Sequence, residues 1–227
     1  MTSQEMSLEF DILYNNIASN MAPGLDEYEK SVFLTKAQEQ LVTAIYDGTF
    51  EGSEKLRECI NPLVTTVEIS SNDAETSAVK TVSSDSKLFT LPENAWYIVY
   101  ESITPSDTES CIDGKTVTVK PIKVDEYHRI RRNPFRRARK DEALRLNSEG
   151  KIELISTYDS YTYKVRFIRR PIPIMIPYSD ADESLEISGV PYIKEGQDCE
   201  LLDAIHRAII ETAVSLAITT YKSTNNN

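Results

Sequence analysis

The chain has 227 residues, 40% of them hydrophobic and 27% charged, a composition typical of a soluble globular protein with one large or two small domains. The net charge of −11 disfavours a protein that coats nucleic acid without specificity. The three cysteines (Cys59, Cys111 and Cys199) match no metal or redox spacing, and the amino terminus lacks the basic start and apolar core of a secretion signal.

Two amphipathic helices are predicted at the start of the chain. The first covers about residues 7–19, with an apolar stripe made of Leu8, Ile12, Leu13 and Ile17. The second begins at Asp26, where Glu29 completes a capping box, and ends at Asp47 and Gly48. Its buried face consists of Phe33, Ala37, Leu41 and Ile45. A short helix is predicted at about residues 53–60.

From residue 63 to residue 195 the pattern changes to β-strands. Segments rich in β-branched and aromatic residues occur at 63–69, 87–91, 95–103, 116–122, 151–156 and 161–170. Connectors rich in Ser, Asp and Asn separate them, and we interpret the connector 70–86 as a mobile loop or hairpin tip. Residues 124–130 are predicted to form at least one helical turn.

A long helix, residues 199–221 with Asp198 as its cap, is predicted to close the chain. Its apolar face consists of Leu202, Ile205, Ile209, Ala213, Leu216 and Thr220. The order of elements predicts an α+β fold, in which a helical subdomain formed by both termini carries an inserted antiparallel β-sandwich or barrel. The predicted boundaries are 1–62 for the amino-terminal helices, 63–196 for the β-rich domain, 197–222 for the closing helix and 223–227 for a flexible tail.

No catalytic apparatus is recognisable. The seven glycines form no phosphate-binding loop, and no Gly-x-Ser-x-Gly elbow is present. His128 and His206 are the only histidines; we interpret His206 as a structural or interface residue, and His128, which could join the basic residues that follow it, as a solvated or interface residue. The acidic loop with Asp180, Asp182 and Glu183 lacks the glycine and distal glutamate of an EF-hand. We therefore expect a protein that is not an enzyme and has no catalytic residue, cofactor or metal site.

The most distinctive electrostatic feature is an arginine segment, residues 129–140, which carries +7 and no acidic residue. The other residues of the chain therefore carry a net charge of −18. Three functions remain open for it: a clamp on an acidic neighbouring subunit, a phosphate or nucleic-acid contact, and a solvated face paired with Asp141 and Glu142. Pro134 and Phe135 are interpreted as an anchor in its middle. The candidate intersubunit contacts are Arg129, Arg131, Arg132, Phe135, Arg136, Arg137, Arg139 and Lys140.

Several blocks of the sequence resemble a known family. These blocks are 91–101, 125–136, 163–174, 185–187 and 199–217. They look like a virion structural protein of crAss-like tailed phages of gut Bacteroidetes, most similar to the head-to-tail connector or ring proteins that continue the portal into the tail barrel. The resemblance implies a dodecameric ring in the neck or tail, docked on the portal or the next ring and assembled in the bacterial host cytoplasm. It also implies that DNA passes through a central channel without specific binding.

Two other functions compete with the connector hypothesis. The first is a nucleic-acid-binding protein that uses the arginine segment, which predicts salt-sensitive DNA binding. The second is an adhesin-like tail part that binds host carbohydrate, which is indicated only by the tyrosine-rich β region. No membrane partner is expected, because the longest apolar run, residues 172–176, is short and interrupted by proline.

Overall fold

The computed structural model describes residues 1–18, 24–50, 56–74, 81–83, 86–106, 115–148, 150–179 and 184–225. The chain forms two compact units, and the first combines Met1–Leu63 with Arg170–Asn227. The second unit is Val64–Arg169. Residues 170–196 thus lie in the first unit, whereas the sequence pattern assigned them to the β-rich domain.

The helices and strands follow in this chain order: α1 (Ser3–Ala18), α2 (Glu27–Asp47), β1 (Val64–Ser70), β2 (Ser86–Phe89), β3 (Ala95–Pro105), β4 (Val117–Pro121), α3 (Val124–Arg132), β5 (Glu142–Ser148), β6 (Lys151–Ile155), β7 (Tyr161–Arg169), β8 (Glu186–Ile187), β9 (Val190–Pro191) and α4 (His206–Asn225). Short 3₁₀ helices cover Arg57–Leu63, Ser71–Asp73 and Asp203–Ile205. Several predicted features lie outside the described ranges: part of the helix 53–60, residues 75–80 and 84–85 of the loop 70–86, Cys111, the acidic loop 180–183 and the last two residues.

Local capping fixes both amino-terminal helices. At α2, the Asp26 side chain accepts a 2.7 Å hydrogen bond from the backbone N–H of Glu29, and Gly48 ends the helix with φ 73°. The predicted cap and stop signals of this helix are therefore confirmed. At α1, Thr2 and Glu5 form an equivalent box, with the Glu5 side chain accepting from the Thr2 N–H at 2.8 Å. The helix consequently begins four residues earlier than the apolar pattern predicted.

The buried face of α1 differs from the predicted one. Met6, Phe10 and Tyr14 are buried, whereas Leu8 is 66% exposed and Ile12 is 61% exposed. The helix thus has two apolar stripes, each with the i, i+4 spacing of one helix face, and the stripe with the two aromatic rings faces inward. α4 packs against both α1 and α2 within this unit.

The closing helix begins later than predicted. Asp203–Ile205 forms a 3₁₀ turn and α4 starts at His206, seven residues beyond Cys199. Asp198, the predicted cap of this helix, instead accepts a 2.6 Å hydrogen bond from the backbone N–H of Ser3 in the first turn of α1. α4 extends to Asn225, into the segment predicted as a flexible tail.

The proline-rich segment after β7 packs along α2. Ile174 exchanges two hydrogen bonds with the Thr35 hydroxyl, which accepts from its N–H at 3.1 Å and donates to its C=O at 3.2 Å. The Ser31 hydroxyl accepts from the Ile176 N–H at 2.9 Å. Side chains of α2 therefore satisfy backbone groups of this buried extended segment. This pairing explains why the segment belongs to the helical unit.

The second unit is built on one seven-stranded sheet with the order β1-β7-β3-β4-β5-β6-β2. Every pair of neighbours is antiparallel except β4 and β5, which are parallel, so the prediction of an antiparallel sheet was wrong at this pair. The sheet curls into a half-barrel, which gives an α+β fold with a barrel-like sheet. Parallel strands need a crossover connection, and here it contains α3 and the arginine segment.

The core of this unit lies on one face of the sheet. Its largest side chains come from the described strands and their turns: Phe89, Ile103, Tyr158, Tyr161, Tyr163 and Phe167. Tyr163, Val165 and Phe167 are buried at every second position of β7, which is the period of a strand with one buried face. A smaller apolar cluster on Leu144, Leu146 and Ile155 receives α3.

Candidate interface on the arginine segment

Two buried residues hold α3 on the sheet. Tyr127 is 3% exposed and Ile130 is 7% exposed, and they pack with Leu144, Leu146 and Ile155. Because these positions are three apart, they share one face of the helix, and the opposite face points to solvent. The basic residues follow on that exposed face and in the last turn, where positive charge interacts favourably with the helix dipole.

Hydrogen bonds fix the backbone that follows α3. The side-chain oxygen of Asn133 accepts a hydrogen bond from the Phe135 N–H at 2.9 Å. The backbone C=O of Asn133 accepts from the N–H groups of Arg136 (3.0 Å) and Arg137 (3.1 Å). Further along, the Tyr158 hydroxyl donates to the C=O of Lys140 at 2.8 Å. The arginine segment is therefore an ordered turn that presents its side chains outward.

Only part of the positive charge is neutralised within the chain. Arg129 contacts Glu126 at 3.4 Å, and Arg139 contacts Asp141 at 3.7 Å and Glu142 at 3.4 Å. The solvated-face alternative predicted such pairs. The remaining arginines, however, form no ion pair with any residue that the structure describes: Arg131, Arg132, Arg136 and Arg137.

The other predicted site residues are also exposed to solvent. Phe135 is 80% exposed, so it does not anchor the segment to the rest of the chain. The Lys140 side chain is exposed as well. Arg131 and Arg137 come together at one open cavity of about 260 Å³, beside Ser156 and Thr157. A contact with a neighbouring subunit stays a prediction for all of these residues.

The half-barrel contains a buried polar cluster that the sequence did not predict. The Glu101 carboxylate accepts a hydrogen bond from the Tyr163 hydroxyl and lies 3.2 Å from the Arg145 guanidinium. Burial raises the pKa of Glu101, although the Tyr163 hydrogen bond and the Arg145 charge both lower it. Burial likewise raises the pKa of the Tyr163 phenol. Since the three residues are on different strands, no local sequence pattern could have found them.

The two histidines lie in different units of the chain. His128 is exposed on α3, beside the Tyr127 ring. His206 is 2% exposed, and its Nε2 is 2.9 Å from the C=O of Leu201. In the described ranges, no three His, Cys, Asp or Glu side chains are grouped closely enough to hold a metal ion. Across the same ranges, we find no helix with the length and apolar character needed to span a bilayer.

Comparison with known proteins identifies the class of this chain. A family model described as phage tail ring protein 3/4 matches residues 1–227. The chain therefore belongs to the phage tail ring protein 3/4 family and is a structural component of the phage particle. The resemblance to ring proteins of crAss-like phages is thereby confirmed.

Two proteins of one phage are similar to this chain. The chain is 40% identical to "Ring protein 3" of Bacteroides phage crAss001, over 96% of this chain and 95% of the relative. It is 34% identical to "Ring protein 4/5" of the same phage, over 98% of this chain and 94% of the relative. The similarity thus extends over nearly the whole length of all three proteins.

Proposed function

We propose that the chain is a head-to-tail connector that forms a dodecameric ring in the neck or tail barrel. The ring docks on the portal or on an adjacent ring and surrounds the channel through which DNA passes without specific binding. Family membership over residues 1–227 supports ring formation with other tail proteins. The acidic remainder of the chain supports the channel role, because negative charge repels DNA phosphates.

We further propose that the arginine segment contacts the next copy of the chain around the ring. This proposal rests on four exposed arginines that have no ion-pair partner among the described residues and follow or lie on a hydrogen-bonded backbone: Arg131, Arg132, Arg136 and Arg137. Exposed Phe135 lies in the middle of these arginines and supplies apolar contact area. In a closed ring one surface of each copy meets a different surface of the next, so a basic patch and an acidic patch on the same chain are complementary.

The first experiment mixes the purified chain with portal rings and neighbouring tail rings of its source phage, and images the products by electron microscopy. We expect additional ring density with twelvefold symmetry on one of these assemblies. A chain that joins none of them, and that is absent from purified virions, would contradict the connector function.

A charge-reversal variant tests the arginine segment. Substituting Glu for Arg131, Arg132, Arg136 and Arg137 should lower ring incorporation by at least about tenfold, because complementary charges become repulsive. The matched control makes the same change in charge at four exposed cations of the first unit: Lys36, Arg57, Lys194 and Arg207. Equal effects of the two variants would show that net charge matters and that the segment does not.

Direct DNA binding is a second candidate, because the same four arginines are exposed and unpaired within the described chain. It predicts that the isolated chain binds duplex DNA with an affinity that falls steeply as salt rises. The charge-reversal variant should abolish this binding. The connector hypothesis predicts no measurable binding at physiological salt for either form.

A further inference from the structure

The cavity beside α3 combines two positive charges with a partly apolar lining. It has a volume of about 260 Å³ and is lined by Arg131, Arg137, Tyr127, Leu144, Ser156 and Thr157, among others. The Tyr127 and Leu144 side chains are buried and supply apolar surface, whereas Thr157 is exposed. The cavity therefore presents guanidinium groups and hydroxyls around an apolar floor.

Neither arginine of this cavity has a carboxylate partner among the described residues. The acidic residues nearest in sequence interact elsewhere, since Glu126 contacts Arg129, and Asp141 and Glu142 contact Arg139. Two arginine side chains that line one open cavity without a carboxylate partner attract an anion, and an anion bound between them lowers their mutual repulsion. The cavity is thus a site for one negative group.

The size and lining of the cavity select the kind of anion. Sites for drug-sized ligands measure roughly 300–1,000 Å³, so a cavity of about 260 Å³ suits a single side chain. A carboxylate on an apolar stem matches both the guanidinium groups, which bind carboxylates in a planar, bidentate manner, and the apolar floor. A DNA phosphate has no such stem, and the net charge of −11 opposes its approach.

We infer that this cavity receives a Glu or Asp side chain from a second copy of the chain. The inference rests on the proposed ring and specifies the contact point on the arginine segment and the kind of side chain that binds there. The charge of −18 outside that segment makes an identical neighbour a suitable acidic partner. In a heterologous ring each copy both inserts a carboxylate and receives one, so all cavities are filled at closure.

Crosslinking within the assembled particle tests the occupant. A photoreactive amino acid replaces Thr157 at the exposed side of the cavity, and the variant is first shown to be present in purified tails. We expect the crosslinked peptide to come from a second copy and to contain an acidic residue. Crosslinks only to another tail protein, crosslinks to DNA, or no crosslink would each overturn the inference. Absence of the chain from tails would instead count against the proposed function.

A pair of variants separates the cavity from general charge. Arg131→Gln with Arg137→Gln removes both cavity charges, and Arg132→Gln with Arg136→Gln removes the same charge from the same segment outside the cavity lining. We expect the first pair to lower ring incorporation about tenfold or more, and the second pair less than about threefold. Circular dichroism of each purified variant confirms folding. Equal losses for the two folded pairs would overturn the cavity as the contact point.

Discussion

Loss of one partner from the ion pair between Glu101 and Arg145 should strongly destabilise the half-barrel. The two side chains are 6% and 14% exposed, and the closest nitrogen and oxygen are 3.2 Å apart. At that distance two unit charges attract by about 5 kcal/mol with an effective dielectric constant of ~20. Removal of one partner of a buried pair costs roughly 3–5 kcal/mol, because the other charge stays buried and uncompensated. We therefore expect Arg145→Met to lower the free energy of unfolding by about 3–4 kcal/mol.

The double variant Glu101→Gln with Arg145→Met isolates the coupling between the two charges. It removes both charges, so we expect it to be less destabilised than Arg145→Met alone, with a coupling energy of about 2 kcal/mol. Urea unfolding measures each free energy by the fluorescence of Trp96, which is the single tryptophan of the chain and lies in β3. Arg166→Met is the control, because Arg166 is an exposed arginine of β7. If Arg145→Met lowers the free energy of unfolding no more than this control does, the Glu101 charge does not need Arg145 in the folded protein.

The pH dependence of the same variant follows from the raised pKa of Glu101. A carboxyl whose pKa is higher in the folded than in the unfolded protein favours folding as the pH falls through the folded pKa. Loss of the Arg145 charge removes a contribution that lowers this pKa, so the pKa of Glu101 rises further in Arg145→Met. The stability deficit of the variant should therefore shrink on acidification from pH 7 to pH 5. A deficit that grows over this range would contradict the assignment.

Three further variants test the helical unit by urea unfolding, followed by far-ultraviolet circular dichroism. Asp198→Asn should lower the free energy of unfolding by about 1 kcal/mol at neutral pH. The hydrogen bond from the backbone N–H of Ser3 holds the pKa of Asp198 below its ordinary value, so this loss of stability should vanish as the pH falls through that lowered pKa. Thr35→Val should lower the free energy of unfolding by about 2–3 kcal/mol, because it leaves the buried N–H and C=O of Ile174 without their hydroxyl partner. An unchanged free energy of unfolding would show that water replaces the hydroxyl. Gly196→Ala should lower the free energy of unfolding by about 2–3 kcal/mol, since φ is +86° and the added Cβ would lie 2.8 Å from Pro177. An unchanged midpoint of the urea transition would contradict that geometry.

The features that the sequence predicted correctly are local ones. The caps of α2 are fixed by Asp26, Glu29 and Gly48, all within the helix or next to it, so their positions follow from sequence alone. The buried face of α1 does not follow from sequence alone, because two apolar stripes compete and the packing of α1 against α4 and α2 decides between them. β5 was missed for a similar reason: its sequence EALRLNS contains helix-forming residues, and its strand conformation depends on pairing with β4 and β6.

The same distinction applies to the candidate interface. Charge counting located the arginine segment, because twelve consecutive residues with +7 stand out in an acidic chain. It could not show which arginines pair within the chain, since Arg139 reaches Glu142 only through the bend that leads into β5. It also could not show the cavity at Arg131 and Arg137, whose walls come from β5, β6 and the residues that follow β6.

The crossover position of the arginine segment has a consequence for the conformational entropy of binding. A basic arm at a chain terminus would be ordered only on contact, and each residue so fixed would cost about 1–2 kcal/mol of backbone entropy. Here β4 holds one end of the connection and β5 the other, and Asn133 fixes the turn between them. Most of that cost is therefore met when the chain folds. A neighbour that meets this surface has only side chains left to order, which leaves more of the interaction free energy for holding the two together.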